Sequence, residues 1–267
     1  MFGLTPIEML LLFIAAAGIG VSKSGFAGVS MLHVLLFAEV FGSKPSTGAL
    51  LPMLVTGDII AIFFFGKKVD WTQVRKLLPA SMLGVMVGAL AMNYLKGPIF
   101  DFVVGLIILV LASMQTARTV QPGFFDKLPH ETSFAFTLGF LAGVATMMAN
   151  AAGPIVALYL LAVGMPKLEL VACSAWFFLT INVFKLPFSA FMGLITVKTL
   201  AINVLFAPAI LLGILLGRWM LDRIPQKAFN ILLLGFTLIA ALRLLGVFSF
   251  FMSLIGLSGE ANEVPTL

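Results

Sequence analysis

Two lysines and one aspartate stand where charge is expensive. Lys185 lies inside the apolar run Leu168–Met192 and Asp58 inside Pro45–Gly66. Lys23 lies in Gly20-Val-Ser-Lys-Ser-Gly-Phe-Ala-Gly28, a junction between two apolar segments that has no turn-like polar loop. An ionisable side chain at such depth costs several kcal/mol, and as a rule it faces a cavity or a partner. A second loopless junction is Met147-Met-Ala-Asn-Ala-Ala-Gly-Pro154. A helix beginning after Gly25 and another beginning at Pro154 would each present free N–H groups and a positive dipole end, the chemistry that receives an anion. Proline suits a first helical position because its missing N–H would be unpaired there anyway. Glycines at 25, 28 and 153 let backbone approach a ligand closely. On one helix Ser174, Asn182, Lys185 and Ser189 share a side, a polar stripe suited to an anion path. The candidate anion-binding residues are Lys23, Ser24, Gly25, Asn150, Gly153, Asn182 and Lys185, with Asp58 as ion-pair partner or carrier of a coupling proton.

Each assignment has a structural alternative. The glycines also suit close helix packing. Lys185 could form a structural ion pair, with Asp58 as the obvious partner. Lys23 would be an ordinary cytoplasmic loop lysine if both flanking segments cross the bilayer fully. His33, six positions before Glu39, reads as a satisfied packing residue more readily than as a proton relay. Cys173, the single cysteine, forms no intrachain disulfide and reads as a small buried apolar residue. Arg243 in the last segment receives no role.

These groups need apolar elements around them, and the composition supplies little else. Of 267 residues, 61% are hydrophobic and 10% charged, with 26 Phe, 25 Gly and 13 Pro. A soluble domain carries about a quarter charged residues, so lipid is the expected solvent. The N-terminal segment lacks the basic start and small-residue cleavage site of a signal peptide. There is no HExxH, CxxC or Gly-x-Ser-x-Gly pattern, and no Gly-rich nucleotide loop, so neither an enzyme nor an ATP-driven pump is expected. No cofactor, metal or nucleic-acid partner is expected either.

A crossing helix needs roughly 20 apolar residues. Nearly uncharged runs occur at Thr5–Ser22, Ser24–Phe41, Pro45–Gly66, Leu77–Leu95, Pro98–Ala117, Thr132–Ala149, Pro154–Met165, Leu168–Met192, Val197–Leu221 and Lys227–Met252. The seventh is too short for an ordinary crossing, so the two loopless junctions read as broken or re-entrant pairs. The segments fall five and five around a polar loop, residues 118–131. At an offset of 125 Gly28 meets Gly153; after small shifts Asp58 meets Lys185, Pro79 meets Pro208, and Gly84 and Gly88 meet Gly213 and Gly217. The expected fold is therefore all-α, with about 8–10 transmembrane or re-entrant helices in one domain, 1–267. Residues 1–117 and 132–252 form two repeats. Placing Lys67, Lys68, Arg75 and Lys76 in the cytoplasm collects most of the basic residues there and puts both termini outside. Each half then has an odd number of crossings, so the repeats are inverted. The same basic segment, with Trp71, is suited to lie along the headgroups.

The same motifs resemble the sulfite exporter TauE/SafE family of bacterial membrane proteins over essentially the whole chain. The resemblance rests on Lys23-Ser-Gly-Phe-Ala-Gly28, the Asp58 span, the Lys-Lys-Val-Asp-Trp71 loop and Pro79 with Gly84 and Gly88. In the second half it rests on Gly139, Gly143 and Gly153-Pro154, on Gly164-Met-Pro-Lys167, and on Asn182-Val-Phe-Lys185-Leu-Pro187. The first half departs from the family's longer glycine run at Ala27 and Val29-Ser30, and Met147–Asn150 replaces a more glycine-rich junction. The resemblance implies a multi-pass inner-membrane transporter of sulfite, an organosulfonate such as sulfoacetate, or a related oxyanion. The residues themselves reach only a small anion as partner, alongside the lipid bilayer. Alternating access is the expected mechanism and a passive anion channel the alternative. A coupling proton or ion, the direction of transport and a homodimer stay open.

Overall fold

A computed structural model describes residues 3–95, 97–120 and 132–221. Nine α-helices occur among them: α1 (Pro6–Lys23), α2 (Ser30–Phe41), α3 (Ser43–Phe65), α4 (Trp71–Tyr94), α5 (Pro98–Val120), α6 (Thr132–Ala149), α7 (Gly153–Ala162), α8 (Lys167–Phe191) and α9 (Val197–Leu221). No strand occurs among the described residues. Lys96, Lys127, Arg223, Lys227, Arg243, most of the central polar loop and the tenth apolar segment lie outside them.

Local chemistry marks several of the boundaries. Thr5 and Glu8 form a reciprocal capping box ahead of Pro6, satisfying two otherwise orphaned N–H groups. Asp70 caps α4 by accepting from the Thr72 N–H at 2.8 Å. The basic segment, residues 67–76, is divided between a short 3-10 turn, Gly66–Lys68, and the first turns of α4 from Trp71. Prolines 52, 79, 187 and 208 sit inside α3, α4, α8 and α9, as membrane helices tolerate.

Five of the helices (α1, α3 with its following turn, α4, α8, α9) are long and apolar enough to cross a bilayer. Helices α2 and α7 are not. At 1.5 Å per residue they reach about 18 Å and 15 Å, against a hydrocarbon core of roughly 30 Å. The second apolar segment, counted by sequence as Ser24–Phe41, contains a shorter helix because its first six residues are spent on a turn and a 3-10 segment, Ala27–Val29. The outward surface is apolar: Phe63, Val204 and Phe191 are 83%, 76% and 94% exposed. Such a continuous apolar exterior suits lipid rather than water.

The most extensive helix contacts are α4 with α6 and α1 with α9, followed by α3 with α8. Both outer crossings close through paired glycines. A Cβ on Gly84 would stand 2.1 Å from the Phe140 carbonyl oxygen, and one on Gly143 2.1 Å from that of Ser81. At the other crossing a Cβ on Gly213 would stand 2.0 Å from the Ala17 oxygen, and one on Gly20 2.1 Å from that of Ile210. Small residues bring the backbones together where no hydrophobic force exists between helices in lipid. Gly84 and Gly213, matched in the sequence comparison, thus occupy equivalent crossings. Gly143 corresponds in space to Gly20, an offset of 123 and not 125. The helices that follow the breaks keep the same offset, since α2 starts at Ser30 and α7 at Gly153.

Each crossing also carries one buried serine. Ser24 Oγ donates to Gly20 O and Ile214 O, both at 3.1 Å, and Ser81 Oγ donates to Leu77 O and Gly139 O, both at 2.9 Å. Each hydroxyl shares its proton between its own helix and the facing one. Ser24→Ala and Ser81→Ala are each expected to lower stability by about 0.5–1.5 kcal/mol, read as a lower thermal midpoint in detergent. No change in either variant would exclude these bonds as crossing contacts.

Candidate functional site

Helix α1 ends because Gly25 takes φ +106, and α6 ends because Asn150 takes φ +51. The first is open to glycine; the second is the left-handed region that asparagine tolerates best after glycine. Past each break a short helix begins with no side-chain cap, α2 after Val29 and α7 after Ala152. The 3-10 segment ahead of α2 packs against α7, so the two breaks meet. Between them and α8 lies a cavity open on one side. Ser22, Lys23, Gly25, Ser30 and His33 border it from the first half, and Thr146, Asn150 and Gly153 from the second. Helix α8 contributes Ser174, Phe178 and Asn182 from one face, as the stripe predicts.

Lys23 and Asp58 are joined by a buried salt bridge of 2.5 Å, Nζ to Oδ1. The other carboxylate oxygen, Oδ2, accepts from Asn182 Nδ2 at 2.8 Å. The Lys23 ammonium also lies 4.7 Å from the centroid of the Phe178 ring, a cation–π contact. Lys185 takes a different partner set. Its Nζ donates to Thr146 O at 2.7 Å, Thr146 Oγ1 at 3.1 Å and Asn150 Oδ1 at 2.5 Å, matching the three donors of an ammonium. Asn150 in turn donates from Nδ2 to Thr47 O in α3 at 2.9 Å.

The sequence alternatives resolve differently from the simplest expectation. Asp58 pairs with Lys23, not Lys185, because each of α3 and α8 reaches the broken end of the first helix in its own half. Lys23 is consequently no loop lysine; it is almost fully buried. His33 is buried yet unsatisfied, its Nδ1 having no partner among the described residues. Of the candidate ligands, Lys23, Gly25, Asn150, Gly153 and Asn182 border the cavity. Lys185 stands behind Thr146 and Asn150, Asp58 behind Lys23 and Asn182, and Ser24 is turned into the α1–α9 crossing. Cys173 is buried against Asp70, whose N–H it receives at 3.2 Å. Thr146, Ser22, Ser30 and Phe178 were not singled out from sequence. Thr146 could have been found by aligning the two glycine crossings, since at the offset of 123 it corresponds to Lys23.

That alignment exposes a swap of polarity. In the first half the helix end carries the cation, Lys23, and the long helix the anion, Asp58. In the second half the long helix carries the cation, Lys185, and the helix end offers neutral acceptors from Thr146 and Asn150. Lys23 on the wall and the two uncapped helix N-termini, at Ser30 and Gly153, turn donors toward the cavity.

The sulfite exporter TauE/SafE family model matches residues 10–244. The chain belongs to the TauE/SafE family. No curated protein matches it. Family membership makes this a multi-pass inner-membrane transporter of sulfite or a related anion, in keeping with the apolar exterior and the five long apolar helices. In this TauE/SafE protein Lys23 borders the cavity where the broken helices meet, and Lys185 stands behind Thr146 and Asn150.

Proposed function

We propose that this protein is a secondary transporter that carries a small sulfur-containing anion, sulfite or an organosulfonate, by alternating access between two inverted halves. The observation that carries the reading is the cavity itself. Broken helices from both halves meet there, with Lys23 on its wall and Lys185 holding Asn150 and Thr146 from behind. Half-helix ends at the centre of a repeat interface are the architecture that secondary transporters use to hold an anionic group. In this reading Lys23, the N–H groups near Gly25 and Gly153, and the side chains of Asn150 and Asn182 contact the anion. Lys185 positions Asn150 and supplies field, and Asp58 holds Lys23 in place.

Transport in proteoliposomes tests this directly. Saturable uptake of labelled sulfite or sulfonate, with counterflow against its own gradient, is the expected result. Non-saturating flux that only runs downhill would replace the carrier with a passive channel. Lys185→Ala is expected to abolish transport while the protein still inserts and elutes as a folded species; retained transport in that variant would sink the proposed site.

A further inference from the structure

The cavity holds two kinds of polar group, and only one kind is explained by an anion. Lys23 and the helix N-termini are donors. Asn182 is different. Its Nδ2 is committed to Asp58 Oδ2, which fixes the amide's orientation and leaves Oδ1 as an acceptor. That Oδ1 is buried and has no partner among the described residues, and Asn182 borders the cavity. His33 Nδ1 is the second buried polar atom without a partner there, and His33 borders the same cavity. With its proton on Nε2, His33 would be a second acceptor. Buried acceptors are rarely left unpaired, because the loss of water is then uncompensated.

A bare oxyanion pairs with Lys23 and the N–H groups but leaves Asn182 Oδ1 as it is. We propose that the site takes an anion that also carries a hydrogen-bond donor, such as a hydroxyl, received by the Asn182 carbonyl oxygen. The spacing fits a small molecule: Lys23 and Asn182 hold the two oxygens of one carboxylate, so a compact ligand reaches both. The inference rests on the anion-site reading and adds the donor requirement to it.

The test compares 2-hydroxyethanesulfonate with 1-propanesulfonate, which has the same charge, headgroup and nearly the same size but no donor. Calorimetric titration of the purified protein is expected to show the hydroxyl compound binding about tenfold more tightly, the size of one hydrogen bond to an otherwise orphaned acceptor. Asn182→Leu removes an anion contact and the partner of Asp58 as well, so the ratio is what it reports: the two compounds are expected to bind it with equal affinity. Equal affinity of the wild-type protein for both compounds would overturn the donor requirement and leave the anion site standing. Binding of neither would overturn the anion reading and this inference with it. The wild-type comparison decides without any variant.

Discussion

Asp58→Leu is expected to destabilise the protein by about 3–5 kcal/mol, the cost of leaving a buried partner charge uncompensated, or on the order of 10 °C in the unfolding midpoint. The carboxylate is fully buried and joins two other groups, Lys23 on α1 and Asn182 on α8. Its loss leaves the largely buried Lys23 ammonium without its counter-charge. The double variant Asp58→Leu/Lys23→Met removes both charges, and replacing a whole buried pair by apolar groups is often neutral. It should therefore recover most of the lost stability while remaining inactive, because Lys23 borders the cavity. Thermal unfolding in detergent, with transport assayed in parallel, checks both parts. A double variant as unstable as the single one would mean that the pair is not what makes Asp58 necessary. A stable and active double variant would remove Lys23 from the site.

The second large effect belongs to the helix crossings. Gly213→Ala places a Cβ about where the Ala17 carbonyl oxygen already is, 2.0 Å away, and the obstacle is backbone that no rotamer change can move. The helices must part, at an expected loss of about 3 kcal/mol. Gly84→Ala meets the Phe140 oxygen at 2.1 Å, and a comparable loss is expected. Gly18→Ala is the control. It lies in the same helix as Gly20, but its Cβ would find the nearest heavy atom at 3.6 Å. There alanine is expected to be neutral or slightly stabilising, since glycine is the poorer helix former. Equal midpoints for Gly18→Ala and Gly213→Ala would refute the close approach.

The all-helical membrane character was legible in the sequence because it is written in composition and run length, which need no tertiary information. So were the two broken junctions, since an apolar stretch with glycines and no polar loop has few other forms at membrane depth. The stripe on α8 followed from helical period alone, and Ser174 and Asn182 do share the cavity wall. The pairing of charges was not legible. Asp58, the carboxylate deep in a first-half span, was the obvious partner for Lys185, and the two also match in the sequence comparison. Equivalent positions in two related halves need not touch, however, and each instead reaches the broken helix end beside it. The offset of 123 was hidden for a similar reason. A match anchored on Gly28 pairs a residue inside the first break with the first residue of α7, while the glycine crossings and the helix starts at Ser30 and Gly153 share the offset of 123. Whether a buried polar atom has a partner, as at His33 Nδ1 and Asn182 Oδ1, depends on sub-ångström placement of several helices. No spacing rule carries that.

The exchanged polarity of the two halves bears on the proposed transport cycle. Were the halves identical, the outward-open and inward-open forms would be related by a two-fold rotation about an axis in the membrane plane and have equal free energy. An empty carrier would then spend equal time facing each side. Here one broken helix is tethered by a charged bridge from Lys23 to Asp58, and its counterpart by Lys185 bonded to the neutral oxygens of Thr146 and Asn150. Releasing the two tethers requires different work, so the degeneracy is lifted. Under the proposed alternating access, the carrier is expected to have a preferred resting orientation without any ligand or gradient.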